Sequence, residues 1–301
     1  MMRHTHLTME SISAFAGDPD HVWAKRIDAS VAVMKDMTGW MLPTKKIPLF
    51  DMRKHFLPML LEAAETTNIA SLLAALQSKD DYLYRHPIGV GIITAVIGKW
   101  MGMNEAELTP LAMAALLHDI GKLRIPEEIL NKPGKLTNEE RLLMRKHTIF
   151  GYKMLIETVG MNHRQMLVAL QHHERQDGSG YPFGIGAVKI DIYSRIVAIA
   201  DIFHAVLSHR IYQRAHSFHA CLQQLKLNAF GTLDPQILGI FVHKLMQSLI
   251  GNQAVLSDGR VATIVMMNPI DPFYPLVQID RDFIDLSKGM KPKIKQIIAS
   301  S

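Results

Sequence analysis

Leu108-Thr109-Pro110-Leu111-Ala112-Met113-Ala114-Ala115-Leu116-Leu117-His118-Asp119-Ile120-Gly121-Lys122 is the stretch whose reading decides the fold. It predicts a short apolar helix from Leu108 to His118, stopped by Gly121. A helix apolar on every side belongs inside a protein, so His118 and Asp119 point into or beside a core. A buried carboxylate without a partner is costly, and Asp119 therefore needs a cation. One adjacent His and Asp say little alone, because a hydrogen-bonded ring beside a helix-terminal Asp looks the same.

Other histidines add weight. The chain of 301 residues carries 15 of them. His86 shares a helical face with Val90, Ile93 and Ile97. His147 follows Leu143 and precedes Gly151 and Leu155 at i, i+4 spacing, within a predicted helix that Thr137 opens through a capping box and that runs to about Val159. His172 and His173 end a helix that begins near His163. Adjacent helical side chains diverge by about 100°, so both rings reach one cation only at a frayed end. Asp201 stands inside Arg195-Ile196-Val197-Ala198-Ile199-Ala200-Asp201-Ile202-Phe203, where a carboxylate needs a positive partner: a metal ion, or a neighbouring Arg or Lys.

Five histidines and two aspartates thus lie on inward faces or helix ends. They form a nitrogen and oxygen donor set without sulfur, since Cys221 is the single cysteine. Such a set suits Fe or Mn, with Zn, Co or Ni as the other candidates. Seven donors are too many for one ion and natural for two, with Asp119 best placed to bridge. One cysteine also excludes an internal disulfide framework and points to a reducing, cytoplasmic setting. No apolar run is long enough to span a membrane, and the N-terminus lacks a signal-peptide core. The net charge of +5 suits an anionic ligand, but Lys and Arg are scattered and no DNA-binding surface is expected.

Around this core the expected class is an all-α helical bundle with a small C-terminal β appendage. Residues 1–75 form an N-terminal region of unassigned function, mixed up to about residue 50 where Pro43 and Pro48 interrupt, then helical from 51 to 77 with a break near Thr66–Asn68. Asp80 or Asp81 caps the helix bearing His86. Residues 76–250 hold the main domain, with further helices near 192–208, 217–228 and 234–250. Residues 251–301 are the appendage: a hairpin with a two-residue Asp258-Gly259 turn, strands near 261–267 and 276–279, and a solvated basic tail from Lys288 to Lys295.

His118-Asp119-Ile120-Gly121-Lys122, Ile129-Leu130-Asn131-Lys132-Pro133-Gly134-Lys135-Leu136-Thr137, and His172-His173-Glu174-Arg175-Gln176-Asp177-Gly178-Ser179-Gly180-Tyr181-Pro182 together resemble the HD-GYP family. The likeness covers about residues 80–215, in the family's order, with Gly180, Tyr181 and Pro182 intact. It implies a helical HD-type domain that hydrolyses cyclic di-GMP, or a related cyclic dinucleotide, to linear pGpG and onward to GMP, by attack of a hydroxide held between two divalent metal ions. By position it implies His86, His118, Asp119 and Asp201 at one metal, and His147, His172 and His173 at the second, sharing Asp119. Lys122 and Arg210 match phosphate-contacting residues. Tyr181 and the loop glycines shape either the site wall or a surface for a diguanylate cyclase (GGDEF-type) or an adaptor. Glu174 and Asp177 read as supporting residues.

Three positions depart from the family. Tyr82 stands where some members carry a Glu for a third metal, so two metals are expected. His204 replaces an acidic residue three after Asp201, and is a candidate proton donor to the leaving oxygen. Gln213 replaces a basic residue, with Arg214 beside it as a substitute substrate contact. The competing readings are a catalytically weak binding module and a nucleotide phosphohydrolase of the wider HD superfamily; the GYP loop speaks against the last.

Overall fold

The computed structural model describes residues 22–77, 81–208, 218–229, 231–288 and 291–298. Arg210, Gln213, Arg214 and Asp80 lie outside the described residues.

The first described helix, α1 (Val22–Thr44), buries Trp23, Ile27, Val31, Met34, Thr38 and Met41, a stripe of three- and four-residue steps. Pro43 falls in its last turn rather than interrupting the segment. After it come α2 (Leu49–Glu65) and α3 (Ile69–Leu76), separated at the expected polar break. Asn68 caps α3 by accepting from the Ser71 amide at 3.0 Å.

α4 (Tyr82–Trp100) is the central helix. Apart from Pro87, every residue from Arg85 to Gly98 is buried. Such a helix needs neighbours on all sides, and it packs against α1, α2, α5 (Glu105–Leu116) and α10 (Ile192–Ser208). Its N-cap position is Asp81, but the expected side-chain cap is not made. Asp81 lies in a left-handed conformation at φ 58°, and its carboxylate pairs with Lys35 of α1 at 2.6 Å.

α5 opens with a capping box between Asn104 and Glu107 and ends just before His118. A 3₁₀ turn, Ile120–Arg124, follows and leads to α6 (Glu127–Leu130). The Thr137 and Glu140 capping box forms as expected. The helix it opens does not run to Val159, however. It divides at Lys146 into α7 (Asn138–Arg145) and α8 (His147–Ile156), so His147 begins a helix instead of sitting within one. The break leaves the Met144 carbonyl to accept from His147 Nδ1, at 2.8 Å. α9 (His163–Gln171), α10, α11 (Phe218–Ala229) and α12 (Pro235–Ser248) complete the bundle.

The appendage is a five-stranded antiparallel sheet: β1 (Gln253–Leu256), β2 (Val261–Met266), β3 (Leu276–Ile279), β4 (Asp282–Asp285) and β5 (Ile294–Ile298), in the order β4-β3-β2-β1-β5. Leu256 and Arg260 close the first hairpin around Ser257, Asp258 and Gly259, with Gly259 at φ 88°. The loop has three residues, not two; the left-handed glycine ends it. The basic tail is partly an edge strand, since β5 pairs with β1 and its Ile294 and Ile297 join the core. Ala254, Leu256, Ala262, Ile264 and Val277 extend the bundle's hydrophobic core into the sheet. Lys226 of α11 pairs with Asp271 at 2.7 Å, which fastens the β2–β3 connection. Among the described residues no helix is long and apolar enough to cross a membrane.

Gly121 governs how closely the 3₁₀ turn meets α8. A Cβ there would lie 1.9 Å from the His147 carbonyl oxygen and 2.4 Å from the Gly151 nitrogen. Both are backbone atoms that no rotamer change can move. Gly121→Ala is expected to destabilise the fold by about 3 kcal/mol or more, read as the loss in urea-unfolding free energy. A change below about 0.5 kcal/mol would show that the contact is slack.

Candidate metal centre

Asp119 lies at the centre of the site. It is 8 % exposed, at the step between α5 and the 3₁₀ turn. Its Oδ2 is 3.2 Å from His118 Nε2 and 3.9 Å from His86 Nε2. Its Oδ1 is 3.2 Å from His147 Nε2 and 3.8 Å from His172 Nε2. The carboxylate therefore faces two sets of rings, one with each oxygen. Ligand atoms within 4.8 Å of one another form two groups: Asp119, His147, His172 and His173, and Asp119, His86 and His118. Asp119 belongs to both.

The rings are aimed by their other nitrogens. His118 Nδ1 lies 2.7 Å from the Ala115 carbonyl, His147 Nδ1 2.8 Å from Met144 O, and His172 Nδ1 3.0 Å from Val168 O. In each case a proton on Nδ1 donates to the carbonyl and leaves the Nε2 lone pair facing Asp119. His172 and His173 do sit at a frayed end: α9 stops at Gln171, and the two ring centroids are 4.1 Å apart. Asp201, midway along α10, has Oδ1 3.0 Å from His86 Nε2, and its other oxygen lies 4.0 Å from His173 Nδ1. Among the described residues its hydrogen-bond and ion-pair contacts are with His86 and His173.

The residues fit a pair of cations on three grounds. His118 Nε2 and Asp119 Oδ1 are buried without a hydrogen-bond partner. Neighbouring ligand atoms on one ion bound at about 2.1 Å stand about 3 Å apart, and the His86–Asp201 and His118–Asp119 spacings are of that size. The donors are imidazole and carboxylate only, which suits divalent first-row metals.

The charge state agrees. Burial alone would raise the Asp119 pKa, but Lys122, 2.5 Å away, and His118 hold it well below the usual carboxylate range. Asp201 is likewise held low against burial, chiefly by His86. Burial holds His86 and His147 below the ordinary imidazole value and His172 well below it. It brings His173 down to about 3. Burial would also lower His118, but Asp119 beside it holds it above its ordinary value. Most of the rings are thus neutral, as ligands must be.

The Gly180-Tyr181-Pro182 segment closes one side. The Tyr181 ring stacks on His173, with centroids 4.6 Å apart, and Arg145 of α7 covers it at 4.9 Å. A Cβ on Gly180 would lie 2.5 Å from Arg175 N, Glu174 Cα and His173 O, so only glycine lets the loop lie this close. Glu174 holds the loop by accepting from Phe183 N at 2.8 Å and Ile185 N at 3.1 Å. Asp177 accepts from Ser179 N and Oγ.

His204 does not stand where the sequence reading put it. It is fully buried, with Nδ1 2.9 Å from His86 Nδ1, and burial holds it well below its ordinary pKa. Neutral and enclosed behind a ligand, it is neither a substrate contact nor a donor to a leaving group. Two features escaped the sequence reading. Tyr82 stacks on His86, with Oη 3.2 Å from Nδ1. Arg145 is signalled by nothing nearer than the capping box of its own helix. A narrow cleft, with about 70 Å³ open to the centre of a water-sized sphere, runs from Asp119 and Lys122 to Met34, Thr38 and Met41, which brings α1 to the site.

Comparison with known proteins accords with this geometry. The HD domain family model matches residues 69–237, more than half of the chain. The chain belongs to the HD domain family. With its GYP loop intact it is of the HD-GYP type. It is 32% identical over 208 residues to a cyclic di-GMP phosphodiesterase of Pseudomonas aeruginosa, covering 69% of this chain and 50% of that protein. It is 37% identical over 180 residues to a cyclic di-GMP phosphodiesterase response regulator of Xanthomonas campestris, covering 58% and 47%. It is 34% identical over 203 residues to a 3'3'-cGAMP-specific phosphodiesterase of Vibrio cholerae, covering 64% and 45%. This HD-GYP chain spans about half the length of these relatives. A solved HD-GYP-type protein of Bdellovibrio bacteriovorus shares the fold, with a TM-score of 0.57, 17% identity and coverage of 77% of this chain and 74% of that one.

The buried neutral rings make metal-free stability depend on pH. A ring whose folded pKa is depressed refuses protons that the unfolded chain binds below about pH 6.5, so its stabilisation falls as the pH drops. For His173 the loss extends from about 6.5 down to its folded value of about 3, at about 1.4 kcal/mol per pH unit. His118 opposes this, one ring against His86, His147, His172, His173 and the His204 behind them. Chelator-treated protein is expected to show a lower urea midpoint at pH 5 than at pH 7.5; equal midpoints would mean that the rings are not held neutral.

Proposed function

We propose that this chain is a cyclic-dinucleotide phosphodiesterase that opens one phosphodiester bond to give a linear dinucleotide. The observation that carries the reading is a single buried carboxylate, Asp119, shared by two imidazole groups and left with an unpartnered oxygen. His86, His118, Asp119 and Asp201 would hold one divalent ion, and Asp119, His147, His172 and His173 the other. When bound, the pair supplies an activated water and a Lewis-acid clamp on the phosphate. Fe or Mn is the proposed metal.

The chain's own residues do the rest. Lys122 pairs with Asp119 at 2.5 Å, and its side chain, 27% exposed, lines the cleft. There it offsets the charge that grows on the phosphate oxygens as the bond breaks. Tyr181 shields His173 and walls the site. The cleft toward Met34 and Met41 offers apolar room for a base while the phosphate lies over Lys122. Cyclic di-GMP is the proposed substrate, with 3'3'-cGAMP as the related alternative, and the setting is cytoplasmic. Arg210 and Arg214 are proposed phosphate contacts.

A second reading makes the GYP loop a docking surface for a diguanylate cyclase or an adaptor. Phe183 and Val188 favour it, because both stay exposed beside the loop that Glu174 holds.

The test is turnover of cyclic di-GMP, 3'3'-cGAMP and cyclic di-AMP by Mn²⁺-loaded protein, followed by chromatography. Linear product is expected from at least one of the first two. Asp119→Asn should lower kcat by at least about 10³-fold, and Lys122→Met by about 10²-fold with metal content unchanged. No hydrolysis of any of the three by fully loaded protein would reject the enzyme reading and favour the docking one.

A further inference from the structure

His86 differs from His118, His147 and His172 in one respect. His118, His147 and His172 each rest Nδ1 on a main-chain carbonyl, whereas His86 Nδ1 faces another imidazole, His204 Nδ1, at 2.9 Å. Helix position explains why. His86 lies in the first turns of α4, and its ring crosses to α10 instead of folding back on its own helix. His204 is one turn after Asp201, so the same face of α10 presents Asp201 to Nε2 and His204 to Nδ1. The ring is gripped at both nitrogens by one helix.

Room for this second imidazole comes from Gly89. A Cβ at that position would lie 2.0 Å from His204 Nε2, 2.2 Å from Cδ2 and 2.8 Å from Cε1. The His204 ring therefore fills the space that any other residue at position 89 would occupy. Ser208 Oγ, one turn further along α10, lies 3.4 Å from the same Nδ1 and donates more closely to the His204 carbonyl. Tyr82 Oη approaches His86 Nδ1 at 3.2 Å, a longer contact than that of His204.

We infer that His204 is a positioning residue for the metal ligand His86: its Nδ1 accepts the His86 Nδ1 proton, which leaves the His86 Nε2 lone pair for the cation, and Gly89 is the cavity that admits it. This rests on the proposed metal reading of the site. The inference assigns a role to the replacement that set this chain apart in the sequence. A neutral imidazole here does what backbone carbonyls do for the other three rings. Outer partners of this kind alter metal affinity by about 10- to 100-fold when lost.

Three variants separate acceptor from bulk: His204→Leu, His204→Asn and Gly89→Ala. Leu keeps much of the volume and has no acceptor. The Asn Oδ1 sits where the His Nδ1 does, two bonds from Cβ. Gly89→Ala displaces the ring without changing its chemistry. The measurement is Mn²⁺ titration of metal-stripped protein by calorimetry, with circular dichroism melts to establish folding. His204→Leu and Gly89→Ala should weaken one of the two Mn²⁺ equivalents by about 10- to 100-fold, and His204→Asn should stay within about threefold of the native chain. Native affinity in both Leu and Ala variants overturns the inference. So does an Asn variant as weak as Leu, which would mean that an acceptor at this position is not what holds His86. If His204→Leu does not fold, Gly89→Ala against His204→Asn makes the same comparison. Failure of the native protein itself to bind Mn²⁺ would instead sink the metal reading.

Discussion

The structure depends on the burial of one carboxylate. Asp119 sits 8 % exposed among imidazoles that burial keeps mostly neutral, with Lys122 as the single lysine recorded against it. Charge buried on those terms is tolerable only where more positive charge can enter. The bundle is arranged to admit it. The end of α5 delivers His118 and Asp119, the first residue of α8 delivers His147, the frayed end of α9 delivers His172 and His173, and the middle of α10 delivers Asp201. Because these elements must converge within a few ångströms, glycine recurs where they touch. Gly121 lets a turn meet α8, Gly180 lets the loop lie on His173, and Gly89 lets α4 and α10 share His204.

The site is asymmetric around that carboxylate. On one side Tyr181, itself covered by Arg145, lies on the ring of His173, which stays 19 % exposed. On the other, Lys122 and the cleft toward α1 leave the site open. Met34, Thr38 and Met41 of α1 and Met52 of α2 line the same cleft as Asp119 and Lys122, so the N-terminal helices, which carry no motif, border the site. The sheet contributes differently. Its inner residues extend the hydrophobic core, and β5 packs against α3 and α11.

Much of this was legible in the sequence where chemistry conflicts with local environment. Asp201 in an apolar helix, His118-Asp119 after LAMAALL and the Thr137 capping box each pointed to their place, and the break at Thr66–Asn68 stands. What could not be read was decided by tertiary contact. The division at Lys146 follows from His147 taking the Met144 carbonyl, and periodicity across 138–156 does not reveal it. Asp81 forgoes its cap for Lys35, a partner on another helix that no local rule reveals. The position of His204 behind His86 depends on Gly89, 115 residues away in the chain, whose absent side chain leaves no mark on any pattern. Asp258-Gly259 suggested a two-residue turn, and only strand register shows that Ser257 belongs to the loop.

The most direct test of the shared carboxylate is a crystal of anaerobically purified protein with diffraction recorded at the absorption edge of its metal. Two anomalous peaks about 3.5–4 Å apart are expected, each within bonding distance of a different Asp119 oxygen. A single peak, or two peaks that Asp119 does not join, would contradict the account.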